Sequence, residues 1–397
     1  MSTQLDILAL EPFFGGARRH MLETVIRCSR HRWTLLKLPP RRMERRLSVA
    51  ANWFAEQLSR HWSSRSDILF TSEAMNLASL YRLAPAMARQ PSVVYFHENQ
   101  LLAPQARRGR AGRSVSAEEI AFAAHAGAMS ALAARDSERG STTMQSRDVD
   151  VELVNLNTAT AATEIWFNST FHMRSFLASA TALVDSHPEL SSHNPMADVT
   201  AKAHLMPPPI DLNLVPHVRS TMTVPPRDPR AIFVDTRDGQ LRMLNAALAE
   251  LASRGQRFRL ITVGPIEDLS DHWARRTVSE TDDFAHVLGL LEAGVVLSVR
   301  PGAACDLQVI RGLQAGCRPV LPDRGIYPDL IPVPIRDQCL YPFNVDSLAD
   351  ALEEAINPAA PWNPPDLRPS LKPFEAIAAT RIFDERLSSL ALAHAAE

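Results

Sequence analysis

The chain has 397 residues, 46% hydrophobic and 22% charged, with a formal net charge of −2. That length exceeds the size at which a single core usually divides, so two globular domains are expected. The near-neutral balance excludes a global field that would draw nucleic acid or membrane, and no apolar run approaches the length of a membrane span.

The charge is unevenly spread. Residues 1–50 carry ten Lys or Arg against four acids, a net +6 that leaves −8 for the rest. A basic region of this kind can meet phosphates, and it equally fits a solvated helix face in an arginine-rich chain. Only Lys37, Lys202 and Lys372 are lysines. Leu5 to Leu10 is too short for a signal peptide and contains Asp6, which points to the cytoplasm. Cys28, Cys305, Cys317 and Cys339 have no paired metal-ligand spacing and read as buried thiols of a reducing compartment.

In chain order, Leu5 to Leu10 predicts a strand, Glu11-Pro12-Phe13-Phe14-Gly15-Gly16 a turn, and Arg18 to Cys28 a helix. Gly15 and Gly16 permit tight turning and close approach to a ligand, with the helix N–H groups behind them; a plain βα turn needs the same residues. Trp33 to Leu38 and Asp67 to Ser72 are further strands, separated by a helix around Ala50 to Arg60. Val93-Val94-Tyr95-Phe96 then runs into His97-Glu98-Asn99-Gln100. A short apolar run between polar residues reads as a buried parallel strand. Ligands of open α/β sheets bind beyond the carboxyl ends of such strands, so these four polar residues are candidate site residues. A polar cluster that caps the next helix would have the same composition.

Residues 103–148 carry Arg107, Arg108, Arg110 and Arg113 and read as an insertion beside that site. Val151 to Thr163 predicts a helix, Ile165 to Phe167 a strand, and Asn168-Ser169-Thr170 a cap for a helix through Leu177. Seven prolines between 206 and 229 predict a helix-free interdomain linker. A second alternating series follows, with strands at Ala231–Val234, Phe258–Val263, Val295–Ser298 and Arg318–Leu321. Helices are expected at Leu241–Ser253, Asp282–Glu292, Leu307–Ala315 with Gly316 as C-cap, Ser347–Ile356, and from Phe374 onward. The expected organisation is α/β: two Rossmann-like doubly wound domains, 1–205 and 230–397, facing a cleft.

Several segments together resemble the tRNA-queuosine alpha-mannosyltransferase family, whose members look like GT-B glycosyltransferases. They are Glu11-Pro12-Phe13-Phe14-Gly15-Gly16, Leu38-Pro39, Leu69-Phe70-Thr71-Ser72 with Asn76-Leu77, and Tyr95-Phe96-His97-Glu98-Asn99-Gln100-Leu101. Trp166 to His172 with Ser175-Phe176-Leu177, and Gly316 to Leu330, complete the set. The resemblance implies a nucleotide-sugar donor, GDP-mannose, held by the C-terminal domain. It implies queuosine in tRNA as acceptor on the N-terminal side, with no metal, no further cofactor and no membrane partner. His97 and Glu98 are then the catalytic candidates, His97 polarising the acceptor hydroxyl and Glu98 orienting the loop; His97 also fits a core histidine with satisfied hydrogen bonds. Gly15, Gly16, Asn99, Gln100, Asn168 and Ser169 would shape the acceptor side, the last two also fitting a helix cap. Arg237 and Arg242 would neutralise the leaving diphosphate, and Asp323 and Arg324 would line the donor side.

The chain departs from the family at three places. Ala17-Arg18 stands where Ser-His is usual; Val234 to Arg242 stands where the family has a tryptophan-bearing motif with Arg and Lys, Arg237 fitting the Arg and Arg242 replacing the Lys; and Ala303 and Arg311, in the stretch 300–311, stand where two acids are expected. Losing those acids leaves two other readings beside an active enzyme. One is a glycosyltransferase with a changed donor or acceptor. The other is a degenerate scaffold that binds tRNA or nucleotide without transfer.

Overall fold

Strands of two to eight residues, most of them apolar, alternate with helices, and every strand pairing among the described residues is parallel. The computed structural model describes residues 4–41, 43–61, 65–102, 151–187, 195–237, 240–264, 275–279, 282–359, 362–363 and 366–396. The expected insertion at 103–148 lies outside them.

The first unit contains β1 (Asp6–Glu11), α1 (Gly16–Cys28), β2 (Arg32–Lys37), α2 (Met43–His61), β3 (Ile68–Ser72), α3 (Leu77–Leu83) and β4 (Ser92–Phe96). It continues with α4 (Val151–Ala161), β5 (Glu164–Phe167), α5 (Thr170–Asp185), α6 (Met196–Ala201) and β6 (Ala203–Leu205). The sheet order is β2-β1-β3-β4-β5-β6. Strand alternation sends Leu8, Leu10, Leu69 and Phe96 into one core with Phe54 and Phe176, and Ile7, Ala9, Phe70, Tyr95 and Trp166 into another. Both faces are therefore covered, as a parallel sheet requires.

The second unit begins at Asp211. It contains α7 (Leu214–Thr221), β7 (Asp228–Asp235), α8 (Leu241–Ser253), β8 (Arg259–Val263), β9 (Arg275–Val278) and α9 (Asp283–Glu292). β10 (Ala293–Leu297), α10 (Leu307–Ala315), β11 (Arg318–Pro322), β12 (Leu340–Tyr341) and α11 (Val345–Ala355) follow. Its sheet order is β12-β11-β10-β7-β8-β9. Side-chain caps start the helices where the sequence suggests: Asp282, Asp306 and Asn344 accept from backbone N–H groups three residues on, at 2.8–3.1 Å. Gly316 ends α10 with φ +88°, the left-handed turn that glycine adopts without strain.

Two sequence expectations are corrected. The Pro-rich stretch 206–229 contains a helix, α7, in which Pro216 is the third residue. The N–H groups of a first turn have no intrahelical partner, so proline costs nothing there, and Val215 and Val218 bury against the unit. The final helix, α12 (Ala376–Ala396), was expected in the C-terminal domain but packs in the first unit. Phe383 meets Trp166 edge-on at 5.0 Å. Asp384 accepts from Ser29 Oγ at 2.6 Å and Arg30 N at 2.9 Å. Arg386 grips Glu164 with two bonds at 2.6 and 3.0 Å.

Candidate functional site

In a doubly wound sheet the crevice lies at the carboxyl ends of the two strands where the order reverses. In the first unit that point is β1/β3; in the second it is β7/β10.

At β1/β3 the strands end in acids. Glu11 closes β1 and is 2% exposed; Glu73 follows β3 and is fully buried. Arg18, on the first turn of α1, is buried between them and pairs through Nη2 with Glu73 Oε1. Its Nη1 lies 3.9 Å from Glu98 Oε1, and its guanidinium sits 5.5 Å from the Phe13 ring centre. Glu73 Oε1 also accepts from the Glu98 N–H at 3.2 Å. Glu11 accepts from Phe13 N at 2.7 Å and Ser72 Oγ at 3.0 Å. Burial nonetheless pushes the Glu11 carboxyl up to about 7, against the pull of Arg18. Burial also raises Glu73, again opposed by Arg18.

The polar loop after β4 adjoins this cluster. His97 is 7% exposed, and its ring centre lies 4.7 Å from that of Tyr95. Burial, the positive charge of Arg18 and the neighbouring His172 hold the imidazole well below its usual range, so it is uncharged at neutral pH. Its Nε2 is buried and has no hydrogen-bond partner among the described residues. Asn168 Nδ2 donates to the His97 carbonyl at 2.9 Å, while its Oδ1 accepts from His172 Nδ1 at 2.8 Å. Ser169 caps α5 by accepting from His172 N at 3.2 Å. Asn99 donates to Ser175 Oγ at 3.2 Å and closes its own turn on Leu101 N; Gln100 accepts from Asn155 at 3.2 Å. Asn99, Gln100, Asn168 and Ser169 thus fasten the loop to α4 and α5.

The two glycines have separate reasons. A Cβ on Gly15 would lie 2.6 Å from Pro40 Cγ, and Gly16 has φ +52° with open space around it. Pro40 therefore occupies the space that Gly15 leaves.

At β7/β10, Arg237 folds back on Asp235, its Nε and Nη2 reaching the two carboxylate oxygens at 2.9 and 2.5 Å. Burial raises Asp235, but the Arg237 bonds and the charges of Arg237 and Arg300 prevail and hold it below the usual range. After β10, Ser298, Asp306 and Tyr327 form a buried triad. Tyr327 Oη donates to Asp306 Oδ2 at 2.9 Å and lies 2.5 Å from Ser298 Oγ. Arg242 is exposed in the first turn of α8. Asp323, exposed, and Arg324, 5.3 Å from the Phe343 ring centre, sit at the end of β11, two strands from Arg237.

Both departures in the 300–311 stretch are buried. Ala303 accepts from Ile326 N at 3.0 Å, under the turn of Gly325. Arg311, 2% exposed, donates to Asp283 Oδ1 at 2.8 Å. Among the described residues no group of three or more His, Cys, Asp or Glu side chains could hold a metal ion.

The sequence alone assigned no site role to Glu11, which it marked only in a turn, to Arg18, which it marked only as a departure, or to Glu73. The signal was present, since Glu11 and Glu73 each stand at or just past the end of an apolar strand.

Comparison with known proteins fits this geometry. The family described as "tRNA-queuosine alpha-mannosyltransferase N-terminal" matches residues 6–135 and 141–210, about half of the chain. The tRNA-queuosine alpha-mannosyltransferase of Drosophila melanogaster is 23% identical over 345 residues, 82% of this chain and 81% of that protein. Among solved structures, sucrose-phosphate synthase from Thermosynechococcus elongatus superposes with TM-score 0.62 at 13% identity, covering 98% of this chain and 100% of that one. HepE from Anabaena, in complex with UDP and glucose, gives 0.58 at 13%, covering 97% and 100%. The catalytic domain of Starch Synthase IV from Arabidopsis thaliana, bound to ADP and acarbose, gives 0.60 at 9%, covering 100% of each. At these identities the likeness shows the fold, the two-sheet α/β architecture of GT-B glycosyltransferases. With that fold, and with the family's N-terminal region matched from β1 through β6, the chain belongs to the tRNA-queuosine alpha-mannosyltransferase family.

Proposed function

We propose that this protein moves mannose from GDP-mannose to queuosine in tRNA, with retention at the sugar. The bond from the sugar's anomeric carbon to the diphosphate breaks, a bond to an acceptor hydroxyl forms, and the hydroxyl proton and GDP leave. The observation that carries the reading is the His97-Glu98 loop at the carboxyl end of β4, inside the family match. His97 is uncharged near neutral pH, the state in which it can polarise a hydroxyl. On this reading Glu98 orients the loop beside it, and Gly15 and Gly16 shape the acceptor side. Arg237 and Arg242 face the leaving diphosphate, Arg237 after release from Asp235; Asp323 and Arg324 line the donor side. No metal or other cofactor is invoked. tRNA meets the basic N-terminal region, where Arg19, Arg30 and Arg41 are exposed. No described helix is long and apolar enough to cross a membrane; on this reading, with tRNA as acceptor, the reaction is assigned to the cytoplasm.

The test is calorimetric titration with GDP and GDP-mannose, followed by mannose transfer to queuosine-containing tRNA. Saturable binding and transfer are expected; binding of neither ligand rejects the reading. A second reading, a changed donor or acceptor or a scaffold that binds without transfer, is favoured by Ala303 and Arg311. Both are buried, and Arg311 is committed to Asp283. A panel of other nucleotide sugars separates its two forms.

A further inference from the structure

We propose that Arg18 is a positioning residue for the reaction: its buried guanidinium locks the strand-end loop that presents His97 and supplies the positive charge beside that ring. The inference rests on the reading of His97 given above.

Arg18 is a buried cation among three carboxylates drawn from three strand ends, Glu11 and Glu73 buried and Glu98 part-exposed. It pairs with Glu73 after β3, approaches Glu98 after β4, and interacts electrostatically with Glu11 at the end of β1. Glu73 in turn accepts from the Glu98 N–H, so one carboxylate oxygen ties α1 directly to the loop that follows His97. The chain from Arg18 to His97 thus passes through Glu73 and one peptide unit. A guanidinium can make this bridge because its fork serves two partners at fixed angles; an ammonium is a point charge on a flexible stem.

Charge matters as much as direction. The charged and titratable groups that act on His97 are Arg18 from α1 and His172 from α5, both disfavouring its protonation, while Glu73, Glu98 and Glu11 act on Arg18. With Arg18 present the cluster disfavours a second positive charge at His97. Without it, that opposition is lost and the imidazole takes up a proton at higher pH, and a protonated imidazole has no lone pair to offer an acceptor hydroxyl. Glu73 Oε2 and Arg18 Nε are also buried without a hydrogen-bond partner among the described residues. The network therefore carries a desolvation cost, which a purely structural ion pair of this depth would not justify by stability alone.

The experiment compares wild type, Arg18→Lys and Arg18→Gln by two readouts. The first is the pH profile of kcat and KM for mannose transfer from GDP-mannose to queuosine-containing tRNA. The second is NMR titration of the His97 imidazole, assigned with His97→Gln. Arg18→Gln should move the acid limb of kcat and the His97 titration to higher pH and lower kcat roughly 10- to 100-fold with KM little changed. Arg18→Lys keeps the charge and should leave both titrations near their wild-type positions. If Arg18→Gln is too unstable to study, Arg18→Gln combined with Glu73→Gln removes both ends of the buried pair and should also lower kcat. Unshifted titrations in Arg18→Gln, or the same acid limb and titration for the Lys and Gln variants, would overturn the proposal. Absence of transfer by the wild-type protein would sink the functional reading instead, while the NMR titration would still decide the role of Arg18.

Discussion

Arg18 and Glu73, 55 positions apart in the chain, form a buried ion pair that closes the point where the first sheet reverses its strand order. The pair joins the first turn of α1 to the turn after β3, and Glu73 also accepts from the Glu98 N–H of the loop that carries His97. Breaking such a pair from one side leaves an uncompensated charge out of water. Glu73→Leu should therefore destabilise the first unit by about 3–5 kcal/mol. Replacing both partners, Arg18→Met with Glu73→Leu, should recover most of that loss. Urea unfolding of the two variants decides it; a single variant as stable as wild type would show that the pair is not held as described.

Glu11 adds a pH dependence. Its folded-state carboxyl is raised from 4.5 to about 7, so folding holds a proton that the unfolded chain has already released. The sign follows from linkage: no penalty exists below about pH 4.5, stability falls as pH rises toward 7, and the full cost of about 3 kcal/mol is present above it. Glu11→Gln removes this contribution. The stability difference between Glu11→Gln and wild type should grow between pH 5 and pH 8, in favour of the variant. Thermal melts at both pH values suffice, and an equal difference at the two would refute the assignment.

On the donor side the two candidate arginines should behave differently. Arg242 is exposed and its loss should weaken GDP-mannose binding about tenfold, the loss expected for a charge-assisted hydrogen bond. Arg237 is engaged with Asp235, so Arg237→Ala should also cost stability by stranding that buried carboxylate. Calorimetry paired with melting curves distinguishes them. Unchanged nucleotide-sugar affinity in Arg242→Ala would remove this residue from the donor account.

The proposed tRNA partner predicts a salt effect. Arg41 is exposed at the basic end of the chain. Arg41→Glu should weaken tRNA binding and reduce the slope of log K against log salt by about one for each lost phosphate contact. A wild-type slope retained in the variant would place tRNA elsewhere.

What the sequence by itself determined is what depends on near neighbours. Nine of the twelve described strands were legible as short apolar runs, because burial on both faces demands continuous apolar residues; the short edge strands β6, β9 and β12 carry no such run and were not. Ser169 and Gly316 were legible at the helix ends because capping acts over three or four positions. The place of His97 and Glu98 at a strand end was legible for the same reason. Only the tertiary structure decided the rest. Which acids would meet Arg18 depends on β3 lying beside β1, a choice made by the whole sheet. That Arg311 would answer Asp283, and that the final helix would bury Phe383 against Trp166, likewise required distant elements to meet. Local propensity acts over one or two turns of chain, whereas the charge balance of a buried site is settled by residues that become neighbours only after the sheet has formed.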